Sequence, residues 1–164
     1  MTDVTLRELI ARREQLEVSA AQVLGQMLFE FSRLDMALGL CAVWVDEGQR
    51  LEELNPRVAD MNFHKRLKFV GGAVEARFDV GGEADRKYGA WISRAQAMRV
   101  QRNELVHGRW GVEPNTNQVV NILGLPTSSE QREIKYTIPE LNKILVELRS
   151  LQAELRHLRD TWPL

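Results

Sequence analysis

The chain has 164 residues, of which 44% are hydrophobic and 27% charged, and this composition predicts one globular domain with a buried core. Its longest apolar run, residues 36–45, is too short to cross a bilayer, and the polar N-terminus predicts no signal peptide. The single cysteine, Cys41, excludes an internal disulfide and a thiol cluster for zinc. We therefore expect a cytoplasmic protein.

The net charge of −1 is unevenly distributed along the chain. Residues 1–63 carry a net charge of −5, residues 64–109 one of +5 and residues 110–164 one of −1. A basic block of this kind is typical of a phosphate-binding surface, and solvated helix faces explain it about as well.

The first predicted helix begins at a capping box formed by Thr5 and Glu8. A second capping box, Ser19 with Gln22, predicts either the start of a new helix or a kink in a longer one. Apolar residues then recur in steps of three and four as far as a predicted end near Gly48. They are Val23, Met27, Phe31, Leu34, Leu38, Cys41 and Val45.

Two further helices are predicted in the middle of the chain. The segment 55–57 (NPR) predicts a break, and Asp60 is expected to cap the next helix, which Gly71 and Gly72 weaken by roughly 1 kcal/mol each. Its apolar face is Phe63, Leu67, Val70, Val74 and Phe78. After a loop over residues 79–85, a long helix is expected from about Glu83 to His107.

Past Gly108 the apolar pattern becomes typical of strands, in residues 109–114, 118–123 and 133–138. Thr137 and Pro139 then predict the start of a last helix. The fold class is therefore mostly α: a single domain over residues 1–164, a bundle of four to five helices with a small antiparallel β meander at about 109–138 inserted before the last helix.

The last helix carries an apolar seam that alternates steps of four and three residues. Its members are Ile144, Leu148, Leu151, Leu155, Leu158 and Trp162. This seam predicts either a stripe of the bundle core, which we favour, or a helix that pairs with a partner chain in a dimer.

The end of the long helix, RNELVHGRW at 102–110, departs from the binary pattern. Arg102 falls in the middle of an apolar arc, where a leucine would be expected. Such an arginine extends its charged end to solvent, faces a polar cleft or forms a buried ion pair, with Glu30 or Asp35 as the candidate acids.

Three neighbours of Arg102 suggest a site at the same helix end. Asn103 and His107 are four residues apart, so that Asn103 is placed to orient the imidazole and fix its tautomer. Gly108 occupies the position where a C-cap glycine belongs.

Arg-x4-His with a polar residue after the arginine, at the end of a bundle helix, resembles the signature of the HEPN superfamily. Members of this family are helical bundles, commonly dimeric, and many are metal-independent ribonucleases that serve as toxins or in phage defence. The resemblance implies that Arg102 and His107 are the catalytic pair and that Asn103 is their polar companion. Its specific part is limited to residues 102–107.

Other residues bear on this resemblance. Arg57 and His64 also fit the looser motif, but His64 is expected on a helix surface, and His157 is expected to be solvated. Some HEPN toxins carry a tyrosine two residues after the histidine, a target for modification by a partner enzyme. Here that place is Arg109, which puts silencing by that route in doubt.

The residue types at this motif suit RNA cleavage by attack of the 2′-hydroxyl on the neighbouring phosphorus. His107 can act as base or acid, and Arg102 can bind the phosphate with two hydrogen bonds. One histidine per chain leaves one proton-transfer group missing, which a two-fold homodimer would supply. No metal and no cofactor is expected, since the sequence lacks a metal-ligand cluster.

We therefore expect a metal-independent endoribonuclease, with Arg94, Arg99 and Arg109 binding RNA and an antitoxin protein as a candidate partner. The alternative is a non-catalytic bundle that binds a nucleotide, an RNA or a protein. A third interpretation is a purely structural dimer in which Arg102 forms a buried ion pair.

Overall fold

The computed structural model describes residues 5–164, so that the polar residues 1–4 considered for a signal peptide lie outside it. Five helices and a three-stranded antiparallel sheet occur in the described chain, and the sheet precedes the last helix, which confirms the predicted fold. The elements are α1 (Leu6–Val43), α2 (Leu51–Ala59), α3 (Phe63–Arg77), α4 (Glu83–His107), β1 (Arg109–Glu113), β2 (Gln118–Leu123), β3 (Arg132–Tyr136) and α5 (Ile138–Thr161).

The chain forms two compact units. The first, the sheet unit, comprises the described part of Met1–Phe29 together with Arg102–Glu147, and it contains all three strands. The second, the helical unit, comprises Glu30–Gln101 and Leu148–Leu164 and contains segments of α1, α4 and α5 with the whole of α2 and α3.

In the sheet unit, α1 and α5 begin in the same way. The backbone N–H of Thr5 donates to the Glu8 carboxylate (2.8 Å), and the N–H of Glu8 donates to Oγ1 of Thr5 (3.3 Å). Thr137 and Glu140 repeat this reciprocal pair at 2.7 and 3.3 Å. Both starts were predicted, the first from its capping box and the second from Thr137 preceding Pro139. In both, the reciprocal pair satisfies N–H groups that have no partner in the first turn.

The second capping box of α1 does not interrupt the helix. The hydroxyl of Ser19 accepts a hydrogen bond from the side chain of Gln15 (3.3 Å), one turn earlier. Leu16, Ala20 and Val23 are buried on both sides of Ser19, so the apolar stripe continues through it. Helix α1 therefore runs unbroken to Val43, and a series of turns follows through residue 50.

Two predicted boundaries in the helical unit are wrong. Pro56 lies inside α2 and does not break it, since the buried Leu54 and Val58 anchor this nine-residue helix on both sides of the proline. Asp60 is the C-cap of α2, and Asn62 caps α3 by accepting from the N–H of Lys65 at 3.0 Å.

The pair Gly71–Gly72 lies within a continuous α3. A Cβ at Gly71 would come to 3.6 Å from Cδ1 of Ile92, whereas one at Gly72 would meet nothing within 4 Å. The first distance is an ordinary van der Waals contact, so neither glycine is required by a close approach, and α3 remains helical through both in spite of their low helix propensity.

The core of the helical unit is built around Trp91 and Tyr88 of α4, which are fully buried. Nε1 of Trp91 donates to the carbonyl of Leu151 (2.9 Å), and the hydroxyl of Tyr88 donates to the carbonyl of Trp162 (3.0 Å). Within the predicted α5 seam, Leu148, Leu151, Leu155 and Leu158 of this unit are buried and Trp162 is half-buried, while Ile144 is buried in the sheet unit. The seam is thus a core stripe, the interpretation that the sequence favoured.

Candidate functional site

The C-terminal end of α4 is capped by side chains from the sheet. The carbonyl of Glu104 accepts from Nδ2 of Asn121 (3.0 Å) and from the N–H of Gly108 (3.1 Å). The carbonyl of Leu105 accepts from Nε1 of Trp110 (2.9 Å). These bonds satisfy carbonyls that the last helical turn leaves without partners, and they fix the segment that carries the Arg-x4-His motif.

Gly108 directly follows the last residue of α4, at the position predicted for a C-cap glycine, and its contact with β2 is what requires a glycine there. Its backbone is not in the left-handed region, which Gly48, Gly81 and Gly124 occupy instead. A Cβ at Gly108 would overlap the side-chain amide of Asn121, which is fully buried on β2. Sequence reasoning missed Asn121, although a lone amide within the apolar strand QVVNIL was a usable signal.

Arg102 occupies the stripe position that the helical projection assigned to it. Trp91, Ala95, Met98 and Leu105 are all buried, and Arg102 itself is half-buried. Its Nη1 donates to Oδ1 of Asn103 at 3.2 Å.

The two acids considered as buried partners of Arg102 bind other arginines. Glu30 accepts from Arg33 (3.0 Å) and Arg149 (3.2 Å), and Asp35 accepts from Arg66 (2.8 Å). Hydrogen bonding from Gln152 is the main reason that the pKa of the Glu30 carboxyl lies below its usual value, and the two arginines act in the same direction against the effect of burial.

His107 lies at the last position of α4 and is exposed. Its side chain makes no hydrogen bond to any of residues 5–164, and Asn103, expected to orient it, accepts from Arg102 instead. At about 100° per residue, Arg102 and His107 are about 140° apart around the helix. The structure therefore places Arg102 with Asn103, and the imidazole on a different side of α4.

A second polar group lies beside the motif and was not predicted. The guanidinium of Arg132 on β3 forms an ion pair with Glu104, and the ring of Tyr136 lies 6.1 Å from that of Trp110. Burial raises the pKa of Tyr136, and the nearby Glu104 carboxylate raises it further. Glu104, Arg132 and Tyr136 come together only through the sheet, so helical spacing gave no signal for them.

The three arginines predicted to bind RNA have different environments. Arg94 and Arg99 belong to the helical unit, where Arg94 forms an ion pair with Glu154 and Arg99 donates to the side-chain oxygen of Gln96 (2.8 and 3.1 Å). Arg109 belongs to the sheet unit, is exposed, and donates to the carbonyl of Gly124 at 3.4 Å.

The two other histidines also have defined positions. His64 was predicted to lie on a helix surface. It is half-buried, and its Nδ1 lies 3.0 Å from the side chain of Gln96 on α4. His157 is exposed on α5, as expected.

Among residues 5–164, no three histidine, cysteine or carboxylate side chains lie together in a way that could hold a metal ion. No helix in the same part of the chain combines the length and the apolar character needed to cross a membrane. No family model, curated protein or solved structure matches the chain.

Proposed function

We propose that this chain is a metal-independent endoribonuclease of the HEPN type that acts in the cytoplasm. One observation carries the proposal: α4 presents a half-buried arginine on its apolar stripe, hydrogen-bonded to the following asparagine, and ends in an exposed histidine. This is the residue order of the HEPN motif at the expected end of a bundle helix.

The proposed chemistry assigns each group a role that its position supports. Asn103 accepts from Nη1 of Arg102, and we assign the planar guanidinium of Arg102 the role of binding the phosphate. The exposed His107 is accessible to RNA and is assigned the role of general acid or base. Positive charge at Arg102 would stabilise the pentavalent phosphorane that forms when the 2′-hydroxyl attacks.

A homodimer is part of the proposal, because Arg102 and His107 lie on different sides of α4 and one chain has a single histidine at the site. Two copies of the motif meeting across a two-fold axis would place an arginine of one chain beside a histidine of the other. They would also supply the second proton-transfer group that cleavage requires.

The test is a cleavage assay on RNA with purified protein, in parallel with thermal melts. We expect His107→Ala and Arg102→Ala to abolish cleavage and Asn103→Ala to reduce it. His157→Ala is the matched control, since it removes an equally exposed helical histidine and should leave cleavage unchanged. Cleavage should persist in EDTA and leave a 2′,3′-cyclic phosphate.

Inactivity of the parent protein on every RNA tried, combined with a stability loss of about 3–5 kcal/mol in Arg102→Ala, would overturn the proposal and leave Arg102 as a structural ion-pairing residue. Activity that survives His107→Ala would overturn it as well. If the protein is a toxin, an antitoxin protein is the expected partner, and co-expression with it should suppress cleavage.

The second candidate is a non-catalytic bundle that binds a nucleotide, an RNA or a protein. The capping of α4 favours it, because Asn121 and Trp110 donate to carbonyls in the last turn of α4. The end of this helix therefore has a structural role that is independent of catalysis. For this candidate, the parent protein should bind RNA without cleaving it. His107→Ala should bind RNA as well as the parent does.

A further inference from the structure

The helical unit contains an open groove of about 690 Å³ between the C-terminal parts of α1 and α5. Ala37 and Cys41 of α1, Leu155 of α5 and the following Leu164 contribute its apolar lining. This volume lies in the range of sites for small organic ligands. Because burial raises the pKa of Cys41 to about 11, its thiol is neutral near pH 7 and forms part of the apolar wall.

Three arginines line the same groove: Arg33, Arg156 and Arg159. Arg33 is paired with Glu30 at 3.0 Å. Arg156 and Arg159 form no salt bridge and donate no hydrogen bond to the rest of residues 5–164, and their spacing of three residues places them on one face of α5. The groove therefore holds two guanidinium groups whose donors are available to a bound anion.

Two carboxylates also line the groove, and neither forms an ion pair with Arg156 or Arg159. Glu47 forms its ion pair with Arg77 at 3.6 Å, and Asp160 is exposed to solvent and forms no ion pair with any described residue. No carboxylate of the described chain therefore occupies the donors of Arg156 and Arg159.

Trp44 gives the groove a flat aromatic wall in a defined position. Its ring packs against the backbone of Gly48, where a Cβ would come within 2.6 Å of the ring carbon Cζ3. Gly48 has φ +80 and the preceding Glu47 has φ 59, so a tight left-handed turn places the indole. Even so, 45% of Trp44 is exposed, which leaves ring surface for contact with a ligand.

We propose that this groove binds a small aromatic anion, with its phosphate or carboxylate group on Arg156 and Arg159 and its ring on Trp44. The arginines recognise the charge with their planar hydrogen-bonding forks, and the apolar wall with the indole recognises the flat body. This site belongs to the helical unit and does not depend on the proposed ribonuclease activity.

Fluorescence titration of the whole chain with two matched probes tests the proposal. Anilinonaphthalene sulfonate carries an anionic group, and N-phenylnaphthylamine has the same rings without it. We expect the sulfonate to bind about tenfold more tightly, and Arg156→Ala and Arg159→Ala each to weaken it about tenfold while leaving the neutral probe unchanged. Trp44→Ala should weaken both probes.

Arg13→Ala is the control, because Arg13 is an exposed arginine of α1 in the sheet unit and should have no effect. Competition with naphthyl phosphate and with naphthoate identifies the preferred head group, and failure of both to displace the sulfonate overturns the proposal. Equal affinity for the two probes overturns it too, as does unchanged binding in Arg156→Ala. Arg156 is exposed, so this variant should fold, and a thermal melt checks that it does.

Discussion

Gly108 lies so close to the buried Asn121 that a Cβ on the glycine would overlap the asparagine side-chain amide. Asn121 uses that amide to donate to the carbonyl of Glu104, the same carbonyl that accepts from the N–H of Gly108. The end of α4, the first residue after it and the middle of β2 are therefore joined at one carbonyl. The position of the Arg-x4-His motif depends on this junction.

We predict that Gly108→Ala destabilises the protein by about 1–3 kcal/mol, because the added methyl group overpacks the junction. Urea unfolding of parent and variant measures the change. Gly89→Ala is the matched control: Gly89 lies in the interior of α4 with nothing within 4 Å of a Cβ. Replacing this glycine should be neutral or should stabilise by up to about 1 kcal/mol.

A double-mutant cycle tests whether Asn121 is the cause. Asn121→Ala removes the overlapping amide, so the effect of Gly108→Ala should be smaller in this background than in the parent, with a coupling of about 0.5–3 kcal/mol. If the two changes are simply additive, the cost of Gly108→Ala comes from elsewhere in the turn.

The loss of folding stability at acidic pH should depend on Glu30. The pKa of its carboxyl is lowered in the folded protein, chiefly by Gln152, so the unfolded chain takes up a proton first as the pH falls. The stability that Glu30 contributes is therefore complete at neutral pH and is lost as the pH drops below about 4.3 toward the lower folded pKa. Glu30→Gln should unfold more easily at pH 7 and show a flatter loss of stability in acid.

Chemical unfolding at a series of pH values measures this difference. Glu14→Gln serves as the control, because Glu14 is exposed on the same helix and its profile should parallel that of the parent. Parallel profiles for Glu30→Gln and the parent would contradict the assignment.

The helices were predictable because the signals that start them are local. The capping boxes at Thr5 and Thr137 need only residues three positions apart, and the burial of the α5 seam follows from its regular spacing. Local signals fail where residues from elsewhere in the fold determine the structure. Helix α2 continues through Pro56 because its neighbours are buried, and position 108 requires glycine because a side chain of β2 lies against it.

The candidate site was predictable to a smaller extent. The half-buried position of Arg102 follows from the helical projection, whereas the partners of the surrounding residues do not. The ion pair of Arg132 with Glu104 joins residues 28 positions apart through the sheet, and no spacing rule within one helix could identify it. The groove beside Trp44 likewise depends on how α1 and α5 pack within the helical unit.

The three arginines predicted to bind RNA, Arg94, Arg99 and Arg109, should contribute unequally to its binding. Arg109 is exposed and held only by a long hydrogen bond to Gly124, so Arg109→Ala should weaken binding and lower the slope of log affinity against log salt by about one. Arg94 is already paired with Glu154, and Arg94→Ala should have the smaller effect on binding. Arg99→Ala should weaken RNA binding by an intermediate amount. Filter binding at several salt concentrations measures the slopes, and equal slopes for all variants would identify the block as solvated surface.

The arrangement of the proposed dimer can be tested with one introduced thiol. Cys41, the only native cysteine, is 1% exposed and should not react in the folded protein. If two motifs face one cleft, His107→Cys should be joined into a covalent dimer by a short bis-maleimide reagent, since the exposed ends of both α4 helices would then lie close together. His157→Cys places an equally exposed thiol on α5 and should remain a single chain on a denaturing gel. Light scattering of the parent at micromolar concentration supplies the oligomeric state independently. A monomer by light scattering, or a dimer in which His107→Cys crosslinks no better than His157→Cys, would contradict a shared active site and leave each His107 to act alone.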